Sequence, residues 1–293
     1  MTITVAFGIG LAFIAMLSWG FGDFFIQRST RKVGDWETLF ILSLFSMILL
    51  APFMWHSMIN LFVSGNSGIY ILLIASVILF VAALLDLEAL RVGKLAIVEP
   101  VWSFEIPAAA LLAFFILHER ISLLQIGLII VLMIGLMLLA FKGRISKSLF
   151  FERGIILAFV SAITMGCANF FMGWGGRVTD PLMVNFFTDT FLTVACALYL
   201  IHKRRLGQSF KDIRRHFSLL IPMAIADKIA WVAFVFSMSM VSIGVATAIS
   251  ESYIIIAVIL GLFINKEKLQ IHQKIGLVGA IATAITLAVI TSV

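Results

Sequence analysis

The chain has 293 residues, of which 62% are hydrophobic and only 12% charged, against roughly 45–50% apolar and about 25% charged in a soluble domain. With a mean hydropathy of +1.15, this excludes an ordinary cytosolic enzyme, a disordered protein and a DNA-binding module. The net charge of +6 is therefore read as loop charge on a membrane protein, and no nucleic-acid partner is expected.

A transmembrane helix needs roughly 20 mostly apolar residues. Ten stretches qualify: 3–26, 36–57, 69–90, 93–117, 121–141, 154–176, 182–202, 217–240, 243–265 and 272–292. Short polar breaks separate them, and the longest, 202–216, carries Lys203, Arg204, Arg205, Lys211, Arg214 and Arg215. The expectation is an all-α polytopic membrane protein with ten transmembrane helices and no soluble domain. The first span lacks a basic leader and a small-residue cleavage site, so it reads as a retained helix rather than a signal peptide. Cys167 and Cys196 lie in apolar runs with no metal spacing and read as small core residues. No metal or other cofactor is expected.

The chain repeats itself. Residues 11–25, LAFIAMLSWGFGDFF, align with 157–171, LAFVSAITMGCANFF, at an offset of 146. Gly20, Phe24 and Phe25 recur as Gly166, Phe170 and Phe171, and Asp23 falls on Asn169. His118-Glu119-Arg120-Ile121 falls on Lys266-Glu267-Lys268-Leu269 at an offset of 148. The expected units are 1–146 and 147–293, with five spans each, embedded as one body. An odd number of spans inverts the second unit across the bilayer, a recurring plan of secondary transporters with the site near the midplane between halves.

The stretch Leu17-Ser-Trp-Gly-Phe-Gly-Asp-Phe24, and the stretch from Ile106-Pro107 to His118-Glu119-Arg120-Ile121-Ser122, resemble the drug/metabolite transporter superfamily in its ten-helix EamA form. The resemblance covers essentially the whole chain. It implies a transporter rather than an enzyme, and leaves open a substrate range of amino acids, nucleotide derivatives, amines, drugs and sugar phosphates. The second half departs from the pattern. Thr164 and Met165 replace Ser18 and Trp19, and Ile255 stands where a proline would match Pro107, so the proline argument for a hinge applies only to the fourth span.

Loops after odd-numbered spans hold 18 of the 21 Lys and Arg residues, and loops after even spans hold only Arg120 and Arg177. Positive loops stay cytoplasmic, so the count puts both termini outside a plasma membrane. The family resemblance implies both inside.

An ionisable group at membrane depth is costly and marks function by default. Asp23, Asp86, Glu88, Glu99, Glu105, Asp189, Asp227 and Glu251 fall within spans, together with one cation, Lys228. So many carboxylates cannot all stay ionised without a counter-charge; either protons or a cation must neutralise them. Helical spacing pairs several with aromatic rings: Trp19 with Asp23 and Asp227 with Trp231 at i, i+4, Trp102 with both Glu99 and Glu105 at i, i+3, and Glu251 with Tyr253 nearby. A carboxylate beside an aromatic ring suits an ammonium group.

Simpler readings stand beside these. Glu88 sits at a helix end. Glu99, before Pro100, favours a helix N-terminus. Asp189, between Thr188 and Thr190, serves interhelical hydrogen bonds. Asp227 is neutralised by Lys228 or a neighbouring helix. Glu119 and Glu267 pair with the adjacent Arg120 and Lys268. Trp36, Trp55 and Trp174 form an interfacial belt. Gly8, Gly10, Gly20, Gly22, Gly127 and Gly135 allow close helix packing.

The expected binding residues are Trp19, Asp23, Trp102, Glu105, Asn169, Asp227, Trp231, Glu251 and Tyr253, with Asp23, Glu105 and Glu251 as proton-coupling groups and Lys228 as counter-ion. The expected function is secondary active export of a small amine-bearing or zwitterionic metabolite or drug by alternating access. The expected partners are that substrate, protons and the lipid bilayer, with the chain a monomer or homodimer. Two alternatives are a sugar-phosphate or other anion exchanger centred on Lys228, and a lipid-handling membrane protein.

Overall fold

The computed structural model describes residues 2–92, 98, 101–140, 153–256, 259 and 269–292. Glu99, Lys94, Glu267 and the end of the ninth expected span lie outside them. Among the described residues every regular element is a helix. In chain order these are α1 (Thr2–Val33), α2 (Asp35–Val63), α3 (Gly68–Val92), α4 (Glu105–Leu117), α5 (Leu123–Ala140), α6 (Arg153–Val178), α7 (Pro181–His202), α8 (Leu206–Arg215), α9 (Phe217–Met240), α10 (Ile243–Ser250) and α11 (Ile271–Ser292). Seven of them, α1, α2, α3, α6, α7, α9 and α11, are long and apolar enough to cross a membrane; α4, α5 and α10 are apolar but shorter. Ile3, Phe53, Phe115, Leu123 and Val278 are more than 65% exposed, as expected where lipid rather than water covers the surface.

Helix lengths depart from the expected spans. The 32 residues of α1 extend about 48 Å at 1.5 Å per residue, well beyond a hydrocarbon core of about 30 Å. Arg28, Arg31 and Lys32, read as loop, form its last turns. The polar 202–216 segment likewise contains a helix, α8, which turns Leu206 and Ile213 toward the core while Lys211, Arg214 and Arg215 stay exposed.

The most extensive helix pairings recur when α1, α2, α3, α4 and α5 are exchanged with α6, α7, α9, α10 and α11. Thus α1 packs along α9 as α6 packs along α3, α10 on α1 as α4 on α6, and α9 on α2 as α3 on α7. The pairs α2–α7, α5–α11 and α4–α10 map onto themselves. The recurring glycines explain part of this. A Cβ on Gly166 would lie 2.5 Å from the Ala108 Cβ and 2.7 Å from the Glu105 carbonyl. A Cβ on Gly20 would lie 2.6 Å from the Ile256 Cβ, and Ile256 is 148 residues beyond Ala108. Gly166 lets its helix touch the backbone of the other half's α4, Gly20 lets α1 touch the Ile256 side chain, and each sets Asn169 or Asp23 one turn further on. By contrast Gly10 and Gly127 meet nothing within 4 Å, so the packing role expected of them does not hold.

Gly166→Ala is accordingly expected to destabilise by about 1–3 kcal/mol, because the overpacked atom faces backbone that cannot move aside. Gly127→Ala is expected to lose nothing, since helix propensity favours Ala. Equal melting temperatures for the two variants in detergent would refute this account of the glycine contact.

The chain breaks helically at two matching places. Val101–Trp102 and α4 are separated by a turn at Ser103–Phe104, and α10 ends in a turn at Glu251–Ser252. The shortened backbone bonds match too: the Phe104 N–H donates to the Val101 carbonyl at 3.1 Å, and that of Ser252 to Ile249 at 3.2 Å. The second break needs no proline, so the argument tying the interruption to Pro107 alone was too narrow.

The two ends of the bundle differ. At one end Arg91 pairs with Asp35 at 2.9 Å, Arg153 with Glu88 at 2.5 Å and Arg205 with Glu37 at 2.9 Å. The opposite end holds the start of α1, where Gly8 abuts Met240 and Val241, and the end of α11, where Thr291 accepts from Gln125 at 3.0 Å. There Glu119 pairs not with the adjacent Arg120 but with Arg177, at 2.5 Å. Arg177 also donates to the carbonyls of Met238 (2.8 Å) and Val241 (2.9 Å), and Glu119 accepts the Ile243 N–H at 2.9 Å. One guanidinium and one carboxylate thus join the ends of α4, α6 and α9 to the start of α10. Residues next to each other in sequence leave a helix end in different directions, whereas Arg177 is brought in by the packing of α6.

Candidate functional site in the interior cavity

A cavity of about 970 Å³, its mouth included, lies between the two halves. All nine expected binding residues line it, as does Lys228. The reason is physical: a polar side chain in an apolar helix is costly against lipid, so the helices rotate these residues inward. From α1 come Trp19 and Asp23. Trp102 and Glu105 flank the first helix break, and Glu251 lies in the second, with Tyr253 just after it. Asn169 comes from α6, and Asp227, Lys228 and Trp231 from α9. The lining reaches Leu39 in α2 and Leu87 and Leu90 in α3, close to the basic end. On the other side Trp19, Trp231 and Phe234 pack edge to face, with ring centroids 5.2–6.1 Å apart.

The carboxylates divide into two groups. In the first, the Asn169 amide donates to Glu105 at 3.0 Å. Trp102 donates through Nε1 to Ser161 at 3.2 Å, and the Ser161 hydroxyl lies against the Asp86 carboxylate. Glu105 is within electrostatic reach of Glu251, Asp86 and Asp23. The Asn169 Oδ1 and one Asp86 oxygen are buried with no hydrogen-bond partner. Trp102 does not share a helical stripe with Glu105, because the turn at Ser103–Phe104 falls between them. The two meet in the cavity through that turn rather than through i, i+3 spacing.

In the second group, Lys228 is 3% exposed and donates to Asp189 at 2.5 Å and to the Asn185 Oδ1 at 3.2 Å. The Ser46 hydroxyl also reaches Asp189. Asp189 thus makes the interhelical hydrogen bonds expected of it, and through one of them it also holds the buried cation. Asp227, next to Lys228 in sequence, is instead met by the Trp231 indole one turn away, the i, i+4 pairing that the sequence suggested.

Sequence reasoning left Asp86, Asn185 and Asp189 out of the site. A signal for the last two was present. Asn185 and Asp189 are one helical turn apart, and the sole cation within the spans requires a partner. Glu88 stays outside the cavity, in its helix-end ion pair. Trp55 is 54% exposed, as a belt residue would be. Trp36 is placed differently, stacking on Tyr199 of α7 with centroids 3.7 Å apart, between helices, whereas Trp174 stacks on Phe171 of its own helix at 6.0 Å.

Apolar helices closed around a charged, aromatic-walled interior define a polytopic membrane protein with an internal solute-sized site. The chain belongs to the EamA-like transporter family, whose model matches residues 6–141 and again 152–289. It is thus a membrane transporter of the drug/metabolite type. No curated protein sequence matches it significantly. Twenty-eight chains of solved structures do. One crystal structure superposes with a TM-score of 0.74 at 14% identity, covering 97% of this chain and 98% of its own, which establishes the shared fold alone.

Proposed function

We propose that this transporter is a secondary active exporter of a small amine-bearing or zwitterionic metabolite or drug. It works by alternating access between two inverted five-helix repeats, residues 1–146 and 147–293, with ten spans in all. The two matches to the family model and the exchange symmetry of the helix pairing support the repeats. The observation that carries the substrate class is the charge balance of the cavity: among the described residues Asp23, Asp86, Glu105, Asp189, Asp227 and Glu251 face a single cation, and that cation already has Asp189. The remaining carboxylates attract a substrate ammonium, with Trp19, Trp102 and Trp231 as cation–π walls. When no substrate is bound, protons neutralise them, which couples export to the proton gradient through Asp23, Glu105 and Glu251. An anion exchanger centred on Lys228 would have to take its cation from Asp189 and Asn185, which weighs against that reading.

The basic end, with Arg91, Arg153 and Arg205, faces the cytoplasm under the positive-inside rule, so both termini lie outside the plasma membrane. The cavity then reaches toward the cytoplasm, the side from which an exporter loads.

The test is thermal stability of the detergent-purified protein against amines, amino acids, quaternary ammonium compounds and phosphorylated sugars at two pH values. A ligand at a hundred times its Kd stabilises by about 2.7 kcal/mol. Amines and amino compounds are expected to raise the Tm, less so at low pH where protons compete. Shifts with phosphorylated sugars alone would overturn this reading.

A further inference from the structure

We infer that the groove between the end of α1 and the start of α9 binds the phosphate-bearing headgroup of an anionic phospholipid. The groove occupies about 1030 Å³ up to its rim and is lined by Phe25, Arg28, Arg31, Lys32, Ser218 and Leu219. Arg28, Arg31 and Lys32 stand at i, i+3 and i+4 and so share one helix face. All three are exposed, and no acidic residue is among the described residues that line the groove. The facing helix adds to this field. α9 begins with no side-chain cap, so its amide dipoles present positive charge at Ser218.

The surroundings select a lipid over a soluble anion. One to two turns deeper, Phe21 and Phe24 are 49% and 47% exposed, and Phe217 beside the groove is 60% exposed. The Arg28 guanidinium lies 4.0 Å over the Phe24 ring, poised between the aromatic surface and the charged rim. An amphiphile with a phosphate at the rim and acyl chains along these phenylalanines satisfies both surfaces. Basic pockets between transmembrane helices are a recurring headgroup site.

The fold does not require this charge. At the repeat offset of 146, Arg28 corresponds to Trp174 and Lys32 to Val178. Arg177, the counterpart of Arg31, is engaged by Glu119 and two carbonyls. The basic face of α1 is therefore not repeated at the end of α6, and it is a feature of the first half. It does not depend on the cavity's substrate or on which end is cytoplasmic.

The experiment compares the full chain in micelles containing phosphatidylcholine or phosphatidylglycerol, reading Tm and, by native mass spectrometry, the lipid retained. Wild type is expected to retain one phosphatidylglycerol and to gain Tm with it, but not with phosphatidylcholine. In Arg28→Gln/Lys32→Gln the apparent affinity is expected to fall about twenty-five-fold, at about fivefold per cation. Ser218→Asp provides a second variant: an acid favours a helix N-terminus yet repels a phosphate, so it is expected to keep the fold and lose the lipid. Lys203→Gln/Lys211→Gln, also on the basic end, is expected to bind as wild type. Retention unchanged in the first two variants, or lost equally in the last, would overturn the assignment. So would inorganic phosphate raising the Tm to the same extent, which would make this a soluble-anion site.

Discussion

Asp189→Ala is expected to destabilise the protein by about 3–5 kcal/mol, because it leaves the Lys228 ammonium buried without its partner. Asn185 would then be the hydrogen-bond partner left to that charge, and its oxygen is a weaker acceptor than a carboxylate. The measure is the unfolding midpoint of the purified protein in detergent. Asp189→Leu combined with Lys228→Met is expected to recover most of the loss, since paired removal leaves no orphaned charge. A single variant as stable as wild type would mean that Asp189 does not neutralise Lys228, and would return that lysine to the pool of groups available to an anion.

The second large effect is on transport. Glu105→Gln keeps an oxygen that can accept from the Asn169 amide, but removes the titrating carboxylate at the centre of the first group. In proteoliposomes the variant is expected to lose acceleration by a pH gradient and to bind the ligand found by the stability screen about tenfold to a hundredfold more weakly, the range for losing a charged hydrogen bond. Flux that answers the gradient as wild type does would remove Glu105 from the coupling mechanism and leave Asp23 and Glu251 to be tested in its place.

Much of the site was legible because burial of charge in an apolar chain has few solutions. Asp23, Glu105, Asn169, Asp227 and Glu251 could not face lipid, so their convergence on one cavity followed from hydropathy alone. What the sequence did not show were relations across helices. Asp189 and Lys228 are 39 residues apart, and no local periodicity joins them. Glu119 looked paired with its neighbour Arg120 until packing brought in Arg177. Trp102 and Glu105 read as one stripe because a turn without proline or glycine at Ser103–Phe104 leaves no mark in residue spacing. The glycine contacts were half visible: the recurrence of Gly20 as Gly166 pointed to a shared task, while Gly10 and Gly127 carried the same residue type into open surroundings.

The joint formed by Arg177 and Glu119 has a consequence for how the molecule works as a machine. Four helix ends are tied through a single pair of side chains. Any helix that leaves that end breaks a contact on one of the same two groups, so separation there is expected to be cooperative. Its free energy sets the standing ratio between molecules sealed and unsealed at that end, and the apparent affinity for any solute arriving from that side is scaled by that ratio. Under the alternating access proposed above, selectivity is expected to reside in the cavity and sidedness in this pair, which lies outside the cavity lining.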